Sequence, residues 1–89
     1  MTDMEIIERA MIHRVAVQKV DKNLMLAWCM NMKGTDAYEL SLCMVHIAGC
    51  DEAAHSKSRD EAERKNWEKR RDEHIATYRG LKQVEITLP

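Results

Sequence analysis

The middle third of the chain is apolar almost without interruption, and its periodicity decides what a protein of 89 residues can become. From Leu24 to Met32 the residues read LMLAWCMNM, so that Leu24, Leu26, Trp28, Met30 and Met32 alternate with Met25, Ala27, Cys29 and Asn31. Wound as one helix, residues 15 to 32 present apolar side chains on nearly every side, which suits a helix buried all round. A domain of this length buries only about 60 to 65% of its unfolded surface and has no room for such an interior. Extended, the same residues put their large side chains on one face and need only a thin, one-sided layer.

The alternation predicts three strands. Val15 and Val17 alternate with Arg14, Ala16 and Gln18 in the first, and Leu24 to Met32 form the second. In the third, Tyr38, Leu40, Leu42, Met44, His46 and Ala48 share a face. Asp21-Lys22-Asn23 and Lys33-Gly34-Thr35-Asp36 supply the turns, because Asn and Gly tolerate a positive φ. An antiparallel meander results.

Helices flank it. Thr2-Asp3-Met4-Glu5 has the form of a capping box, after which Met4, Ile7, Ala10 and Met11 fall on one face. Residues 51 to 74 carry eight acids and seven bases, with pairs such as Asp60 and Arg64 or Glu61 and Lys65 spaced as an exposed helix prefers. Ser58-Arg59-Asp60-Glu61 is a second capping box, so a helix is expected over 58–79 with Gly80 as its cap, and Asp51 to Lys57 as a loop. Its stripe of Trp67, His74, Ile75 and Tyr78 lies in the second half, which leaves the first half to water or to a partner.

The tail QVEITLP alternates again, with Val84, Ile86 and Leu88 facing one way. An isolated strand is unstable in water, so this one must pair with the meander, a second copy or another protein. The fold class read from the sequence is therefore α+β: a helix, a three-stranded antiparallel meander, a long charged helix and a C-terminal strand, in a single domain over residues 1–89. The alternative is an all-α helical bundle, because Met, Ala, Leu, Glu and Lys favour helices.

Fourteen Lys and Arg against fifteen Asp and Glu leave a net charge of -1, so no global field recruits nucleic acid or an anionic membrane. Cys29, Cys43 and Cys50 are an odd number without framework spacing, which points to reduced thiols and a cytoplasmic location. The apolar runs fall short of the roughly 20 residues a membrane helix needs, and the start lacks the basic region of a secretory signal. Cys43, His46 and Cys50, with His55, are zinc-ligand types. On a strand Cys43 and His46 point to opposite faces, so neither a metal nor a cofactor is expected. His13, His46, His55 and His74 are scattered, no Gly-rich loop is present, and an enzyme is not expected. Met25, Met30, Met32 and Met44 read as core filling in a chain without Phe.

The candidate partner-binding residues are Arg59, Arg64, Lys65 and Lys69 on the charged helix and Gln83, Val84, Ile86 and Leu88 in the tail. The order helix, three strands, helix, with HSKSRDEAE at residues 55–63, resembles the double-stranded RNA-binding domain. That resemblance implies phosphate contacts from Lys57, Arg59, Arg64 and Lys65, in a family that reads its target largely by shape. QVEITL, residues 83–88, is similar to the Gln-Leu-x-Leu-x-Leu peptides that bind the bacterial replication sliding clamp. That likeness implies a Gln amide and alternate apolar side chains entering a pocket. The function expected is a small non-catalytic intracellular module that binds another protein as regulator, inhibitor or accessory factor, of the kind found in phages and mobile elements. The alternative is RNA or DNA binding through the same bases. A homo-oligomer is a further expectation, from the two open edges of so small a sheet.

Overall fold

The computed structural model describes the whole chain, Met1–Pro89, and contains only helices and connecting segments. Four helices follow in order: α1 (Asp3–Gln18), α2 (Lys22–Met32), α3 (Asp36–Ala54) and α4 (Glu61–Gly80). The α+β reading is thereby overturned. Residues 15–18 complete α1, 24–32 are α2, 38–48 lie within α3, and the tail runs extended without joining a sheet. The all-α bundle is the architecture adopted.

Local chemistry explains each helix start. Thr2 and Glu5 form the capping box, Thr2 Oγ1 accepting from the Glu5 N–H at 3.2 Å and the Glu5 carboxylate accepting from the Thr2 N–H at 3.0 Å. Asp21 does not close a hairpin; its carboxylate accepts from the backbone N–H groups of Asn23 and Leu24 and starts α2. Gly34 does take a positive φ of 86°, and Thr35 caps α3 by accepting from the Tyr38 N–H. At α4 the cap is Asp60, whose carboxylate accepts from Glu63 N–H at 2.8 Å, so the helix begins after the Ser58 box and runs through Gly80. Asp51 to Ala54, expected in a loop, form the last turn of α3.

The strand reading failed because it required every large apolar residue to be covered. Along α3 the buried positions Leu40, Cys43, Met44, Ile47 and Ala48 follow a helical spacing of three and four, which nearly continuous hydrophobicity conceals in the sequence. In α2 the difficulty is resolved in another way. None of its residues is buried, and Leu24, Leu26 and Met30 lie in water.

The core is built around α3, which packs against both α1 and α4. Ile6, Ile7 and Ala10 of α1 and Ile75 and Tyr78 of α4 close on Leu40, Met44 and Ile47. Polar links hold the same contacts: His13 Nε2 lies 2.7 Å from the buried Ser41 hydroxyl, Arg14 pairs with Glu52, and Arg71 pairs with Asp51 at 2.9 Å. Leu81, Val84 and Ile86 of the tail pack on the core. The Trp28 indole N–H donates to the Thr87 carbonyl at 3.0 Å, which ties the tail to α2. The smallest extent of the molecule is 19 Å, about two helix diameters, so only one interior layer exists.

Ile47 is fully buried and Ile12 is 72% exposed, which makes the same substitution informative at both. Ile47→Ala is expected to cost about 2 to 5 kcal/mol in urea denaturation. At Ile12 the change is expected to stay within about 0.5 kcal/mol.

Candidate functional site

α1 and α4 both lean on α3 and meet where the start of α1 lies by the end of α4, through Arg79 with Asp3 and Arg9 with the Tyr78 hydroxyl, while an open groove lies between them with part of α3 as its floor. On the α1 wall stand Met4, Ile7, Met11 and Val15. Ile7 turns inward, whereas Met4, Met11 and Val15 stay exposed in one line, as residues seven and four apart on a helix must. Val45 and Gly49 of α3 belong to the floor. A Cβ placed on Gly49 would meet nothing within 4 Å, so no packing inside the chain calls for a glycine there.

The α4 wall is polar and cationic. The Trp67 ring lies between two guanidinium groups, Arg59 at 5.3 Å and Arg70 at 4.8 Å from its centroid, in cation–π geometry. Arg59 is also paired with Glu63 at 3.6 Å, while Arg70 has no carboxylate partner. Arg71 contacts Asp51 and Asp72; burial opposes its charge, but these hydrogen bonds hold its pKa above the ordinary value. His46 and His74 stack with ring centroids 5.0 Å apart.

Burial lowers the pKa of His74, and the neighbouring His46 adds to the effect. His13 is lowered by burial alone. Burial also raises Cys43 and Cys50, and for Cys50 it outweighs the opposing influence of Arg70 and Arg71. These two thiols are therefore poor nucleophiles at neutral pH.

The Ser41–His13 contact is close, but Ser41 is only 4% exposed and no third side chain orients the imidazole. It serves to satisfy a buried hydroxyl between two helices. Cys43, His46 and Cys50 share one side of α3, contrary to the strand argument that had separated them. Cys43 and Cys50 are nevertheless two turns apart, about 10 Å along the axis, too far for one zinc to bind both. No three His, Cys, Asp or Glu side chains converge as metal ligands.

The candidate residues read from the sequence are dispersed. Arg59 reaches the groove, whereas Lys65, paired with Glu61 at 3.5 Å, and Lys69 lie on the opposite side of α4. Arg64 is half-buried without a salt bridge. No continuous basic stripe forms, and without strands the fold implied by the RNA-binding-domain resemblance is absent. In the tail, Gln83 accepts from the Tyr78 hydroxyl at 3.1 Å and donates to the Leu81 carbonyl. Val84 and Ile86 pack on the core and Leu88 is half-buried, so the tail lies against the bundle as one of its own parts. Sequence reasoning missed Met4, Met11 and Val15 as a surface because Met4, Ile7 and Met11 read equally well as a core face. The legible signal was Val15, which extends that line beyond what the core consumes.

No protein-family model, curated protein or solved structure matches the chain. No helix is long and apolar enough to cross a membrane.

The lowered histidines set a pH dependence. Unfolded, both titrate near 6.5, and folded they titrate lower, so on acidification the unfolded chain takes up protons first. Their contribution to stability is complete above pH 6.5 and is lost as pH falls through the lower folded values. Urea midpoints compared at about pH 7.5 and about pH 5.5 are expected to drop, and His13→Gln with His74→Gln to reduce the drop.

Proposed function

We propose that the chain is a non-catalytic protein-binding module, whose groove between α1 and α4 receives an amphipathic helix of a partner protein. The observation that carries this reading is the exposed line of Met4, Met11 and Val15, which nothing within the chain covers. Such a line fits the helix-in-groove mode, in which apolar anchors spaced three, four and seven apart enter a hydrophobic cleft. Methionine suits the task because its flexible thioether repacks around different anchors.

The opposite wall complements it. Trp and Arg are the residue types that dominate binding energy at interfaces, and here Trp67 stands between Arg59 and Arg70 at the groove. Arg70, without a carboxylate of its own, suits an acidic side chain on the polar edge of the incoming helix. Gly49 allows that helix to approach the α3 backbone closely. Occupying the partner's helix in this way is the route by which the module would regulate or inhibit it.

Met11→Glu and Val15→Glu are expected to abolish capture of partner proteins from a lysate while leaving circular dichroism unchanged, since both side chains are exposed. Equal capture by these variants and the unaltered chain rejects the groove. Gly49→Ala separates stability from binding: it is expected to raise stability by about 0.5 to 1 kcal/mol, because helical glycine is costly and the added methyl is unopposed, and to weaken capture.

A further inference from the structure

Helix α2 raises a separate question, since it contributes no residue to the groove. It is 11 residues long, below the roughly 12 to 15 at which an isolated helix holds together in water. Its inward arc of Met25, Trp28, Cys29 and Met32 is half-buried. The opposite arc, Asn23, Leu24, Ala27, Met30 and Asn31, is exposed throughout, with Leu24 at 56% and Met30 at 73%.

We propose that this outward arc is a homodimer interface, in which α2 packs antiparallel against α2 of a second copy about a two-fold axis at Ala27. The order of residues carries the argument. Counting outward from Ala27, Leu24 and Met30 stand three positions away on either side, and Asn23 and Asn31 stand four positions away. Three and four residues return a helix to within about 60° and about 40° of its starting direction, so all five side chains share one face. A two-fold axis through Ala27 sets Leu24 against Met30 of the second copy and Asn23 against Asn31 of the second copy. Apolar meets apolar, and each amide meets an amide with which it can exchange hydrogen bonds.

That self-complementarity is what an isologous interface requires and what a chance apolar face lacks. Ala27, the smallest side chain of the arc, sits where the two axes must approach most closely. After Lys22 the helix carries no charge, as the centres of homodimer interfaces do. The chain exposes 6194 Å², about 800 Å² more than a compact monomer of 10.4 kDa, and this uncovered arc is one part of that excess.

Sedimentation equilibrium from about 1 to about 500 µM, a range spanning micromolar dissociation constants, is the test. The mass is expected to rise from 10.4 kDa toward twice that value. Two double variants at exposed positions then read the register. Asn23→Asp with Asn31→Asp sets like charges across the axis and is expected to weaken association at least tenfold. Asn23→Asp with Asn31→Lys sets opposite charges there and is expected to preserve or tighten it, whereas a parallel pairing would bring like charges together in this variant too. A mass of 10.4 kDa at every concentration overturns the proposal, including the case in which the chain instead sediments with lipid vesicles or an unrelated protein. Equal weakening of both double variants overturns the antiparallel register.

Discussion

α3 is gripped from two sides, by α1 through Ile6, Ile7 and Ala10 and by α4 through Ile75 and Tyr78, and this burial positions every other part of the molecule. Leu40, Met44 and Ile47 leave water only because both flanking helices are present, so neither can detach without exposing the centre. Hydrogen bonds and ion pairs confirm the alignment more than they supply the driving force. Arg71 with Asp51 and His13 with Ser41 satisfy groups that the apolar contacts have already taken out of solvent.

A molecule two helices thick has one interior layer and much surface, and the apolar residues in excess of that layer must go outside. Five of the nine large ones fall in two places. Met4, Met11 and Val15 line one wall of the groove, and Leu24 and Met30 occupy the outward arc of α2. Each location is apolar on a scale that a singly exposed leucine would not be, and each has a distinct neighbourhood. The groove has a cationic, aromatic wall opposite it, whereas the α2 arc carries no charge and mirrors itself about Ala27. The first suits a partner of different sequence, the second a copy of the same chain.

The charged half of α4 illustrates how far a charge pattern can be read. Of the two i,i+4 pairs expected there, Lys65 on Glu61 forms, whereas Asp60 caps the helix and leaves Arg64 without a salt bridge; Arg59 on Glu63 adds a pair, and together they keep most of that surface solvated and locally neutral. Arg70, which the charge pattern does not distinguish from its neighbours, faces the groove beside Trp67 and Arg59. Likewise the alternation in the tail is real, but its apolar side chains meet the bundle through Leu81, Val84 and Ile86 and form no ladder.

By itself the sequence determined the helix start at Thr2, the positive φ of Gly34, the long charged helix and its C-terminal docking residues Ile75 and Tyr78. All of these depend on side chains within about one turn of each other, or on a stripe with polar residues on its other faces. What only the tertiary structure decided was the state of residues 15–48 and which apolar residues remain in water. Where nearly every position is apolar, periods of two and 3.6 fit equally well, and the choice falls to contacts between distant segments. Here α1 and α4 offered α3 a half-circumference of burial, and α2 became a helix with its outer face uncovered.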